Sequence, residues 1–441
     1  MIKRKGSKIL KLTYISTFLF ILFLASSMGG VLNNSKNASS KEIIDNENTL
    51  KKLKNSVYWP LDNISIDPSL TLAGYKNWSW AVNQPWCSGT GTLSDPYIIE
   101  NVTIQNSNLG ISIRSSKKYF VIRDVTIYNV STHGINLHMV HNGTIFDNNI
   151  SFSDNNGIYL DASTFNHIKE NFVSNNNDNG ILLTDGSNNN TIETNTIINN
   201  LNNGISVWSF SHNNTIEANR IIDNRIGIDT ADSDGIAIIE NIVNSSSWGI
   251  NVYEANFTKV MGNIVYNNSN DGLYMDSIYN SIISENIVYK NLVNGIHLTE
   301  YSANNNLTNN IIRDNKDNGI YISSSFTIDN LIWKNYFLRN GKHAIDNGNN
   351  NHWNITTIGN YWDNHTGPDT NPDDGIVDFP YYIGGTAGSI DYLPIAEEDA
   401  PSGGGIGLDY FMTGFFIFIT GGMGVIIILV KIYTKKRIEL S

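Results

Sequence analysis

Two ladders with one shared period constrain this chain more than any other feature. A glycine followed by an aliphatic residue recurs at Gly110, Gly134, Gly157, Gly180, Gly204, Gly227, Gly249, Gly272, Gly295 and Gly319, at spacings of 22 to 24 residues. An asparagine ladder keeps the same step through Asn101, Asp124, Asn148, Asn171, Asn195, Asn219, Asn241, Asn263, Asn286, Asn310, Asn335 and Asn360. Aliphatic residues hold fixed places relative to both. They stand one and three after the glycine (Ile250, Val252), and three before and two after the asparagine (Val260, Val265). The alternation has period 2 and the residues are largely β-branched, which is strand chemistry. A helical repeat of this length would show a 3.6 period and far fewer Asn and Gly.

About 23 residues with three short strands and polar corners make one coil of a parallel β-helix. The expected fold is therefore all-β: a right-handed single-stranded parallel β-helix of about 11–12 coils, stacked at strand-pairing distance. The ladder asparagines are read as structural. At a corner the chain often passes through a left-handed conformation, which Asn and Gly tolerate. Equivalent Asn side chains can also bond from coil to coil.

The termini differ from the middle. Lys3, Arg4, Lys5, Lys8 and Lys11 precede an apolar run and then the small residues Ala25, Ser26 and Ser27. That is the layout of an export signal, or of an N-terminal anchor, over residues 1–32. Residues 410–430 carry no charge over 21 positions and are followed by Lys431, Lys435, Lys436 and Arg437. A transmembrane helix with a basic cytoplasmic tail, 431–441, is expected there. The full expected organisation adds a linker and N-terminal cap over 33–85, the repeats over 86–365, a C-terminal cap with an acidic loop over 366–398, and a Gly-rich linker over 399–409. The β-helix would then lie outside the cell. Sequons at Asn63, Asn77, Asn129, Asn244 and Asn354 suit that side, weakly in so asparagine-rich a chain.

The net charge of −12 and the 16% charged fraction argue against nucleic acid as a partner. The single cysteine, Cys87, excludes an intrachain disulfide and a cysteine-ligated zinc site.

Two segments resemble a known family. "GTGTLSDPYIIENVTI" (89–104) and "GNYWDNHTGPDTNPDDGIVDFPYYI" (359–383), with "DYLP" (391–394), look like the two ends of NosD-like β-helix domains in the carbohydrate-binding and sugar-hydrolase (CASH) group. The resemblance covers about residues 86–396. It implies the β-helix fold, and copper through a periplasmic namesake that helps mature nitrous oxide reductase. Many relatives are surface proteins without a settled role, so the resemblance implies fold better than function.

Chemistry is left to the outward positions. Trp208, Tyr253, Tyr274, His297 and Tyr321 are expected on one face, with Asp229, Asp232, Glu254, Asp276 and Glu300 among them. Aromatic faces with carboxylates suit a polysaccharide or surface glycoprotein. The same residues also suit ordinary exposed strands. Asp229 with Asp232 or Glu254 is the candidate catalytic carboxyl set, as a glycoside hydrolase or polysaccharide lyase would need, with Arg225 as a nearby base. The Asp-Asp, Gly-His-Gly and Arg-Ile-Lys signatures of polygalacturonase-type enzymes are absent, so binding without catalysis is the favoured expectation. Copper would require grouped soft ligands, and His133, His138 and His141 are the only local group. Asp369, Asn371, Asp373, Asp374 and Asp378 around Gly375 resemble a Ca²⁺ loop carrying one extra residue.

Overall fold

The computed structural model describes residues 58–69, 76–370, 373–396, 417–419 and 426–428. The expected signal, residues 33–57 and 70–75 of the expected linker and cap (33–85), the Gly-rich linker and the basic tail lie outside the described residues. The chain divides into two compact units between Asn202 and Asn203.

The first unit stacks parallel strands in register. Ile64–Ile66, Ile111–Arg114, Ile135–His138, Ile158–Asp161 and Ile181–Thr184 pair in succession. Trp59–Leu61 pairs with Tyr97–Ser107, so coil pairing begins inside the segment expected to be linker and cap. A short helix, Trp78–Ala81, is capped by Asn77. Its Trp78 stacks on Tyr97 at 4.5 Å between ring centroids and donates from Nε1 to Ser116 Oγ at 2.9 Å.

The second unit repeats the plan. Asn203–Val207, Ile226–Ala231, Trp248–Asn256, Leu273–Tyr279, Ile296–Thr299, Asn318–Ile322 and Lys342–Asp346 pair in parallel, in order. With one such strand per coil, five and seven make twelve coils of β-solenoid among the described residues. The expected inward columns are fully buried: Ile228, Ile250, Leu273 and Ile296 in one, Ile238, Val260 and Ile283 in another. Burying each such side chain contributes about 1.5–3 kcal/mol. At the far end Trp362 stacks between Phe337 (4.3 Å) and Tyr381 (4.1 Å).

The corners correct two expectations. The buried ladder asparagines are not the left-handed residues. Positive φ falls on the residue before each one from Asn148 to Asn335: Asp147, Glu170, Thr194, Ala218, Glu240, Gly262, Glu285, Asn309 and Lys334. The chain turns at an exposed step that takes almost any residue, and the buried Asn then holds the turn. Asn263 shows how. Its Oδ1 accepts from the backbone N–H of Asn241 (2.9 Å) and from Asn241 Nδ2 (3.0 Å). Its Nδ2 donates to Ile238 O, Met261 O and Asn286 Oδ1. Asn101 and Asp124 do not belong to this ladder, because both have positive φ. Val125, paired in register with Val102, is the residue that donates to Asn148 Oδ1. The repeat glycines also keep negative or extended φ; space is what requires them. A Cβ on Gly227 would lie 2.2 Å from Val243 Cγ1 and 2.6 Å from Gly249 O.

The transmembrane helix expected over 410–430 is not what the described residues form. Ile417–Ile419 pairs antiparallel with Ile426–Ile428. Both triplets are isoleucine-rich, and β-branched residues favour strands. Among the described residues no helix is long and apolar enough to cross a membrane.

Candidate functional site: the outward face of the second unit

Parallel register turns the repeat into columns. Ser206, Asp229, Asn251, Tyr274, His297 and Tyr321 stand side by side, one per coil. Ala231, Tyr253, Asp276 and Thr299 form the next column toward the outgoing corner. Every member of the expected ligand-binding face therefore lies in the second unit.

Asp229 is the most enclosed of these acids. Its Oδ2 accepts from Asn203 Nδ2 (2.8 Å) and Trp208 Nε1 (3.1 Å), and its Oδ1 from Asn251 Nδ2 (2.6 Å). Burial raises its carboxyl pKa, opposed by these bonds and by the charge of Arg225. Trp208 is thus edge-bonded to an acid as well as half-exposed. Burial, then the hydrogen bond and charge of Glu254, raise the Asp232 carboxyl. The hydrogen bond and charge of Glu254 also push the Tyr253 hydroxyl up to about 12.

One coil further on, Tyr274 donates to Asp276 Oδ2 at 3.3 Å, and Ser277 Oγ donates to Asp276 Oδ1 at 2.8 Å. Burial, then the Asp276 charge, push the Tyr274 hydroxyl to about 12. The rings of Tyr274, His297 and Tyr321 pack on one another. The first contact is edge-on at 5.1 Å and the second stacked at 4.9 Å. Glu300 is an exposed left-handed corner residue, as are Asp232 and Glu254.

The structure also presents aromatics that the expected columns do not contain. Phe210, Phe257, Tyr301 and Phe326 follow the outward strands at the same corner as Tyr253, and these five are 39–69% exposed. Tyr301 stacks on Phe326 at 5.2 Å. Their offset from the repeat glycine varies between six and eight residues, so no fixed-period column reveals them. Isolated exposed apolar residues are ordinary; their concentration along one edge sets this face apart.

The residues offered to metals are otherwise engaged. His138 Nδ1 bonds Asp161, His141 bonds Thr164, and His133 stacks on Tyr159. Burial pushes the Cys87 thiol up to about 11, away from the thiolate a soft metal needs. Asp369 accepts from the backbone N–H groups of Asp374 and Gly375, Asp374 from that of Ile376, and Asp378 from Thr370. The loop turns these carboxylates onto its own donors, and Asn371 lies outside the described residues. Among the described residues no three His, Cys, Asp or Glu side chains gather as a metal site, for Ca²⁺ or for copper.

Fold and face together define a β-solenoid with a differentiated outer sheet. The family described as periplasmic copper-binding protein (NosD) matches residues 90–232 and 207–367, more than half of the chain. The protein belongs to the NosD family. Its donor set does not fit the copper of that description. No curated protein matches the chain. Among solved structures, the A-module of the Azotobacter vinelandii mannuronan C-5 epimerase AlgE4 is similar at 14% identity and a TM-score of 0.51, over 67% of this chain and 89% of that one. The A-module of A. vinelandii AlgE6 is similar at 14% identity and 0.45, over 58% and 73%. The Dettilon tailspike protein (gp208) is similar at 15% identity and 0.44, over 60% of each. These likenesses concern the fold.

Proposed function

We propose that this is an exported, membrane-attached β-solenoid whose second unit binds an extended carbohydrate, free or on a surface glycoprotein, along the outgoing corner of its outer sheet. The exposed aromatic edge carries this reading: Tyr253, Phe257, Tyr301 and Phe326 stand beside Asp232, Glu254 and Glu300. Aromatic faces take the apolar faces of sugar rings, and carboxylates accept from their hydroxyls. Export is supported by the basic-then-apolar start of the chain and by the periplasmic description of the family. Membrane attachment is supported by the uncharged 410–430 run with basic residues after it. A hydrolase or lyase working through Asp229, Asp232 and Glu254 is disfavoured. Asp229 is held by three donors, and Asp232 and Glu254 are exposed left-handed corner residues. For a copper-maturation accessory, the described residues offer no group of three His, Cys, Asp or Glu ligands.

The test is a glycan and polysaccharide array probed with Ca²⁺ and with EDTA. Binding to a polymer is expected, weakened about tenfold or more by Tyr301→Ala with Phe326→Ala, and by Trp208→Ala with Tyr253→Ala. A blank array, or variants that bind like the parent, would overturn the proposal.

A further inference from the structure

Three outward residues from three successive coils form a hydrogen-bonded relay. Asp271 precedes the repeat glycine of its coil and is 7% exposed at its side chain. Its Oδ1 accepts from the backbone N–H (2.9 Å) and Nδ2 (2.7 Å) of Asn294, which fixes the carboxylate. Its Oδ2 lies 3.0 Å from His297 Nδ1. On the other side of the imidazole, Nε2 lies 2.9 Å from Ser323 Oγ. A carboxylate only accepts, so Nδ1 carries the proton and Nε2 is an acceptor within reach of the Ser323 hydroxyl once its proton turns from Thr299 Oγ1. Tyr274 edge-on and Tyr321 stacked hold the ring between them. Ser323 is half-exposed just after its strand; its Oγ donates to Thr299 Oγ1 at 2.8 Å, and it stands three residues before exposed Phe326.

We propose that Ser323 is a nucleophile, with His297 as its general base and Asp271 as the positioning residue, in a serine-type site that hydrolyses small carboxylic esters. Nucleophile to base and base to orienting carboxylate are both within hydrogen-bond reach, in the order that acyl transfer requires. Ser323 Oγ attacks the ester carbonyl carbon as its proton passes to His297 Nε2. The imidazolium is held by Asp271. The carbonyl–alkoxy bond then breaks and the Nε2 proton leaves on the alcohol oxygen. One water, deprotonated by the same nitrogen, attacks the acyl-serine and releases the acid, and the proton returns to Ser323. Ester and water give acid and alcohol. The backbone N–H of Ser324, next in the chain, makes no hydrogen bond among the described residues and is an available donor for the developing oxyanion. The substrate class is an O-acylated carbohydrate, because the nucleophile lies beside the Tyr301–Phe326 pair. That clause alone rests on the binding reading above.

The experiment treats the purified full chain with a fluorophosphonate probe, reads intact mass and labelled peptide, and follows p-nitrophenyl acetate hydrolysis. One adduct at Ser323 is expected, absent in Ser323→Ala and at least tenfold slower to form in His297→Ala. Asp271→Asn is expected to lower kcat with KM held, as a positioning role requires. No adduct on the parent chain, an adduct on another residue, or undiminished labelling in His297→Ala would overturn the proposal. Labelling at Ser323 supports it even where the glycan array is blank. Glycan binding with no labelling overturns the nucleophile and leaves the binding surface standing.

Discussion

Replacing Asn263 by alanine tests what holds the coils together. The side chain is fully buried, and its Oδ1 is the acceptor for two donors on Asn241. Alanine strands the backbone N–H, whereas Asn241 Nδ2 keeps the carbonyls of Ile216 and Ile239. It also removes the donor that Ile238 O, Met261 O and Asn286 Oδ1 share. A stranded buried donor costs about 1–3 kcal/mol, so the variant should lose about that much. Asn267 is the control: it is exposed and left-handed, φ 55°. Alanine there loses only the asparagine's ease in that conformation, about 1 kcal/mol. In a repeat array the loss is felt first by neighbouring coils. Amide hydrogen exchange should therefore quicken at Asn241 and Ile242 before distant strands respond. Denaturant titration with site-resolved exchange measures both. If Asn263→Ala costs no more than Asn267→Ala, the ladder bonds are incidental and apolar packing alone sets coil stability.

Two further perturbations probe the coil and its end. Gly227→Ala should destabilise by about 1–3 kcal/mol, because its new Cβ meets Val243 and the Gly249 carbonyl. Gly186→Ala, with φ +77° and open space, should cost only the left-handed penalty; equal melting shifts in the two would refute the close-approach reading. Asp391 is fully buried, and burial pushes its carboxyl up to about 6 against the donors Asn360, Trp362 and Leu393. An unfolded aspartate titrates near about 3.9. The folded state therefore binds more protons between the two values, and stability falls as pH rises from about 4 to 6, by up to about 3 kcal/mol, then levels off. Denaturation midpoints across that window should show the fall, and Asp391→Asn should flatten it; an unchanged slope in the variant assigns the dependence elsewhere.

How far these features were legible depends on whether they repeat. The inward columns were readable residue by residue, since Ile250, Leu273 and Ile296 must each fill the same slot against the same neighbours. The asparagine ladder was readable as a contact but not as a conformation. A left-handed step that accepts Glu240, Lys334 and Ala218 leaves no compositional trace, so the turn was assigned to the conspicuous residue beside it. Asn101 and Asp124 matched the ladder by letter and spacing, and only the register Val102↔Val125 places them one step off it. The glycines kept their identity for lack of room, a property of the coil above that no single coil's sequence contains.

Function breaks the repeat, and that is why it was harder to see. A column analysis groups residues of equal offset, so it placed His297 with Tyr274 and Tyr321 and stopped there. The relay runs diagonally instead. Asp271 stands one before its glycine, His297 two after the next, and Ser323 four after the third, with both steps 26 residues long against a period of 22 to 24. The column before the glycine is half asparagine, Asn203, Asn294 and Asn318 among its members. An aspartate substituted into that column changes little in the coil, because it keeps the acceptor that Asn294 uses, and it adds one oxygen free to face the histidine. The signal was therefore local: one acid in a column that is half asparagine, one histidine between two tyrosines and a serine just past a strand, each unremarkable in its own coil and brought within 3.0 Å of the next by the stacking that the ladders enforce.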